Sequence, residues 1–128
     1  RTVNNNRYFS WIEAQEMQNS GFVDICSHGK NHIPYDTLPL EEFKSDIIES
    51  FDKINKNVGY HALKVFAYPF GIFNDEMVAV LKESGVDVQA NGLGMNYRDS
   101  LNLSMINRIN VPMNMTGREI LNTIKNMT

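Results

Sequence analysis

The stretch Leu63-Lys64-Val65-Phe66-Ala67-Tyr68-Pro69-Phe70-Gly71 decides the fold. Leu63 to Tyr68 reads as a strand, and it must stop at Pro69, which has no N–H to give to a ladder. Gly71 then allows a sharp turn. Upstream, Leu40, Phe43, Ile47, Ile48, Phe51 and Ile54 recur at helical spacing with charges on the other face. That pattern predicts an amphipathic helix ending near Asn57-Val58-Gly59. Downstream, Asn74 caps a helix carrying Met77, Val78 and Leu81 that ends at Gly85, and Val86 to Ala90 reads as a short strand. A strand, a helix and a second strand in this order imply a right-handed crossover and parallel pairing.

The same reading extends to both ends. Ser10-x-x-Glu13 is a capping-box pattern for a helix from Trp11 to about Asn19, closed by Gly21. Trp11, in its first turn, reads as a core residue. Phe22 to Ser27 reads as a buried strand, and the Gly- and Pro-bearing segment from His28 to Pro39 as a loop. Asn91 to Leu103 is polar and reads as a long surface loop, Arg108 to Val111 as a last strand. Thr116-Gly117-Arg118-Glu119 repeats the capping box before a helix whose buried stripe is Ile120, Leu121 and Ile124. The fold class is therefore α/β. In such sheets functional residues gather at the strand C-termini. His28 follows one strand directly and Pro69-Phe70-Gly71 follows another, so both fall on the same edge of the sheet.

A chain of 128 residues suffices for one compact domain and not for two. With net charge −3 and no cluster of Lys and Arg interleaved with aromatics, a nucleic-acid surface is not expected. No apolar run is long enough to span a bilayer. Cys26, the single cysteine, excludes an internal disulfide and reads as a buried, inert thiol. Arg1 is not an initiator methionine, so the chain reads as a mature or excised piece of something longer.

Two of the three histidines stand in Ser27-His28-Gly29-Lys30-Asn31-His32. The surrounding Gly, Asn and Pro favour a turn that folds His32 back toward His28. Either that turn or a helical i, i+4 arrangement can present two neutral imidazoles to one cation, which suits zinc and similar metals. Two surface histidines in a polar loop remain the alternative. Asp24 shares a strand face with His28 but lies roughly 13 Å along it at 3.3 Å per residue, too far for one ion. Asp36 lies within reach, yet nothing singles it out. At Phe66 to Gly71, a strand ended by proline frees the Phe70 amide to point into a cleft, as an oxyanion hole requires. An ordinary strand-ending turn accounts for the same residues. Arg108 is open to two roles, orienting a site carboxylate or forming a structural salt bridge. His61 reads as an exposed loop residue.

These segments together resemble the polysaccharide deacetylases of carbohydrate esterase family four, the nodulation-protein-like deacetylase domain. Ser27-His28-x-x-x-His32 is similar to that family's metal-binding histidine motif, and "FAYPFG" at Phe66 to Gly71 is similar to its next motif. The branch most resembled acts on poly-N-acetylglucosamine of biofilms and related glycans, and "MINRINV" at Met105 to Val111 resembles the strand near that branch's C-terminus. The resemblance implies a partial (β/α) barrel lacking its first strand or strands, with residues 1–128 as a single, N-terminally incomplete domain. It implies His28 and His32 as ligands of a divalent metal, most often zinc, and the Phe70 backbone amide as oxyanion donor. Tyr35, Tyr68 and Pro69 become substrate contacts. The implied reaction is metal-assisted hydrolysis of N-acetyl groups on an N-acetylglucosamine polymer outside the cytoplasm, releasing acetate and a free amine.

The chain also departs from the family pattern. The family's strand with paired aspartates, a metal ligand and the catalytic base, would precede Arg1. Ala67 stands where many members have Arg, as is common in the biofilm-type branch, and Phe70 where many have Tyr, keeping the amide. No histidine follows His61, so the late general acid is unassigned. An inactive fragment of the catalytic domain is therefore expected. The competing readings are a non-catalytic glycan-binding or structural remnant and an α/β interaction domain with incidental histidines. A partial barrel leaves a sheet edge exposed, which invites a homodimer through that edge.

Overall fold

The structure is a computed structural model that describes residues 8–60 and 63–127. Helix α1 spans Trp11–Asn19, with the Ser10 and Glu13 capping box formed as its sequence predicts. Gly21, at φ +79, closes it in the left-handed region where glycine carries no Cβ penalty. Helix α2, Leu40–Asn57, buries Phe43, Ile47, Phe51 and Ile54 on one face. Strand β1 is Val65–Ala67, helix α3 is Asp75–Glu83 with Asn74 as side-chain cap, and strand β2 is Val88–Ala90. Helix α4 is Gly117–Met127.

β1 and β2 pair in parallel, with Phe66 opposite Gln89. Single parallel bridges extend the sheet on both sides, Ser27 to Phe66 and Ala90 to Ile106. The order across the sheet is thus Ser27, β1, β2, Ile106. The core lies where α2 and α3 meet this sheet, built from Tyr35, Phe43, Ile47, Phe66, Tyr68, Met77 and Leu81. The rings of Phe43 and Phe66 meet edge-on, 6.3 Å between centroids, an arrangement aromatic pairs favour.

Several expectations are corrected. The run Phe22 to Ser27 is not a buried strand: only Ser27 reaches the sheet, and Phe22 is 94% exposed. The α1 terminus supplies the reason, because Gln18 and Ser20 side chains take the amides of Ile25 and Phe22 that a ladder would need. Arg108 to Val111 is not a strand either, and the sheet contact falls earlier, at Ile106. Asn96 exchanges hydrogen bonds with both the amide and the carbonyl of Asn107, so its side chain stands in for a neighbouring strand. The α4 capping box forms between Thr116 and Glu119, but Leu121 and Ile124 face solvent among the described residues. Trp11 is 41% exposed rather than core. Cys26 is exposed rather than buried, because the segment that carries it is not a core strand and reaches the sheet only at Ser27. His61 falls outside the described residues.

Candidate active site

Ser27 ends its bridge to β1 by accepting from Ala67 N and donating its own amide to Val65 O. His28 is the next residue, so its ring starts at the strand end and lies across β1. His28 Nδ1 sits 2.7 Å from the carbonyl oxygen of Ala67. A carbonyl can only accept, so Nδ1 carries the proton and the Nε2 lone pair is left for an electrophile. This is how metal-binding imidazoles are held, with the second nitrogen fixed by a carbonyl or carboxylate.

The chain then reverses. Gly29 has φ +87 and His32 φ +48, and the His32 ring returns to 4.9 Å from that of His28, centroid to centroid. On the other side the Phe70 ring lies 5.0 Å from His32. Phe70 has φ +59 inside the turn Pro69–Gly71. His32 and Phe70 are the two non-glycine residues with positive φ among those described, and each such placement costs about 1–3 kcal/mol. Strain of this kind gathers where a site's geometry overrides local preference. Among the described residues nothing accepts a hydrogen bond from the Phe70 amide, whereas Gly71 N and Ile72 N are tied back to Tyr68 O and Pro69 O.

A cleft of about 420 Å³ opens beside this pair, lined by His28, Tyr68, Phe70, Gly71, Asn91, Gly92, Arg108, Ile109 and Asn110. Its floor is two glycines in near contact, since a Cβ on Gly71 would come within 3.2 Å of Gly92 N. Arg108 Nε donates to Asn91 O at 2.7 Å, which fixes the guanidinium at the cleft wall. Partial burial holds the His28 imidazole below its ordinary value of 6.5. The bond to Ala67 opposes that shift, and electrostatic repulsion from the neighbouring His32 and Arg108 adds to it. His28 is therefore neutral at neutral pH, the form that can ligate.

The structure brings His28, His32 and Phe70 together and leaves Tyr35 elsewhere. Tyr35 is 1% exposed, and its hydroxyl donates to Asp46, so the ring packs in the core. Tyr68 and Pro69 are buried as well, with the Tyr68 hydroxyl donating to Gln89 Oε1 at 2.5 Å, although Tyr68 reaches the cleft wall. The two imidazoles suit a zinc-like cation. Among the described residues no third His, Cys, Asp or Glu joins them. Asp46 is the residue that sequence reasoning missed. Its charge suggested the solvent face of α2, yet Phe43, Asp46, Ile47 and Ser50 stand at i, i+3, i+4 and i+7, which is the period of the buried face.

The model of the polysaccharide deacetylase family matches residues 2–89. No curated protein matches the sequence significantly. Among solved structures, the Streptococcus pyogenes deacetylase PplD in complex with acetate superimposes with TM-score 0.79 at 19% identity, covering 94% of this chain and 53% of that one. A de-N-acetylase from Aggregatibacter actinomycetemcomitans gives 0.71 at 21% identity, covering 96% and 57%. IcaB from Ammonifex degensii gives 0.68 at 20% identity, covering 81% and 48%. The chain thus spans about half the length of the structures it matches, and at these identities the likeness shows the fold: an α/β arrangement of the deacetylase type, held in part. With the family model covering most of the sequence, the chain belongs to the polysaccharide deacetylase family.

Proposed function

We propose that this chain forms part of the active centre of a metal-dependent deacetylase that removes N-acetyl groups from a cell-surface or biofilm polysaccharide, an N-acetylglucosamine polymer. The observation that carries the reading is the His28 tautomer, with Nδ1 bound to Ala67 O and the His32 ring 4.9 Å away. Family membership supports the reaction class, and the structural relatives named as deacetylases point the same way.

His28 Nε2 and the His32 imidazole would hold the cation. When bound, such an ion acts as a Lewis acid that polarises the amide carbonyl. The Phe70 amide, which has no acceptor among the described residues, would donate to the oxygen on which charge develops, a contribution that grows toward the transition state. Arg108 adds positive charge at the cleft wall, and the Gly71 and Gly92 floor lets an extended polymer approach main chain closely. With two imidazoles and one oxyanion donor, the chain by itself is expected to bind zinc weakly and to release acetate slowly or not at all. The site of action would lie outside the cytoplasm, where such polymers are found; no helix among the described residues is long and apolar enough to cross a membrane.

A second reading, a non-catalytic glycan-binding or structural remnant of the same fold, is favoured by one observation: no third metal-ligating side chain converges on the histidine pair among the described residues. Zinc titration of the purified chain, paired with acetate release from an N-acetylglucosamine oligomer, tests both. Zinc binding that disappears in His28→Ala supports the metal centre. Oligomer binding with no zinc response supports the remnant.

A further inference from the structure

The span from Ser27 to Asn31 is hydrogen-bonded to one face of α2. Asp46, 7% exposed, accepts from Lys30 N at 3.0 Å, from the Asn31 side-chain amide and from the Tyr35 hydroxyl. Tyr35 in turn accepts from Asn31 N at 3.4 Å. One turn along α2, Ser50 Oγ lies 2.5 Å from Ser27 Oγ, which accepts from Gly29 N, while the Ser50 hydroxyl donates to Ile47 O. Lys30 and Asn31 are thus held directly from the helix, and Gly29 through the Ser27 hydroxyl. The ion pair nearby does not serve this carboxylate, because Lys30 Nζ engages Glu49 instead. Asp46 is a buried carboxylate whose hydrogen-bond partners among the described residues are the loop itself and the tyrosine beneath it.

A carboxylate is the side chain this arrangement requires. Its two oxygens are acceptors only, and three donors converge on them. An apolar residue would leave those donors unpaired in the core, each at the cost of a lost hydrogen bond. The loop they hold contains His32 at φ +48, a conformation that relaxes unless its neighbours are pinned. Asp46 touches neither imidazole, so it acts through the backbone of Lys30 and the side chains of Asn31 and Tyr35.

We propose that Asp46 is the positioning residue of the histidine pair, holding the Gly29 to Asn31 turn so that His32 faces His28 across a distance one cation can bridge. The inference deepens the metal-centre reading above and rests on it, but its geometry is read without metal. In isotope-labelled chain, the wild type is expected to show contact between the His28 and His32 ring protons and a His28 protonated at Nδ1. Asp46→Asn replaces one acceptor by a donor facing other donors. It is expected to keep the pattern of core amide signals and to lose the ring-to-ring contact. Zinc binding, followed by the same ring signals, is expected to weaken at least tenfold. Glu49→Gln, which removes the neighbouring ion pair, is expected to change neither. Ring contact retained in Asp46→Asn, with zinc affinity within twofold of wild type, overturns the proposal. Should Asp46→Asn fail to fold, Tyr35→Phe decides: loss of ring contact supports the positioning role, and an unchanged contact overturns it. A wild-type chain that shows the ring contact but no zinc response removes the metal-centre reading, and the ring contact in the variants still decides the role of Asp46.

Discussion

His28 and Ala67, 39 residues apart in sequence, are joined by a 2.7 Å hydrogen bond from an imidazole N–H to a strand carbonyl. The bond leaves one nitrogen of His28 unprotonated and directs it away from β1. It makes the rim of the sheet chemically asymmetric.

His28→Ala is expected to lower zinc retained by the purified chain about tenfold or more, since disturbing even the support of a ligand costs that much. The ring is at the surface, so unfolding free energy should change by no more than about 1 kcal/mol, the worth of one hydrogen bond. Metal analysis and urea unfolding check the two halves separately.

The pH dependence of stability carries the same signature. His28 titrates below its ordinary value of 6.5 in the folded chain, chiefly because burial penalises the cation. The unfolded chain therefore binds more protons between the folded value and 6.5. Its contribution to stability is complete above 6.5 and is lost as pH falls from there through the folded value. His28→Gln should flatten the stability profile in that window, as read by unfolding midpoints in metal-free buffer.

Gly29→Ala is expected to destabilise by about 2–4 kcal/mol, combining a left-handed residue with overpacking. The added Cβ would collide with the Tyr35 hydroxyl that Asp46 holds in place, at φ +87. Equilibrium unfolding measures the loss, and a shift below about 0.5 kcal/mol would show that the turn repacks freely.

Among the described residues Ser27 and Ile106 each bridge to one neighbour, which leaves both flanks of the described sheet without a further strand. Self-association through such an edge is the expected behaviour at high concentration. Light scattering on the eluting protein checks it, and a monodisperse monomer throughout counts against edge pairing.

Much of the fold was legible because its signals are local. The α2 stripe, the caps at Ser10 and Asn74 and the proline after β1 each act within a few residues, and each element forms where its sequence predicts. The terminal strands were not legible, because competition came from side chains: Gln18 and Ser20 near Phe22, and Asn96 at Asn107. Apolar runs report what can be buried, while these donors and acceptors decide whether a ladder forms. The same limit applies to the site. The His28 and His32 spacing was visible, but Asp46 was hidden by its charge and Tyr35 by its place in a loop, and only tertiary contact shows that they meet.

The paired glycines at the base of the cleft carry a last implication. Where Gly71 and Gly92 nearly touch, the surface is plain polypeptide with no side chain to enlarge, shrink or recharge. Mutational drift cannot remodel that patch short of replacing a glycine, so any retuning of what the cleft admits must come from its walls, such as Phe70, Arg108, Ile109 and Asn110.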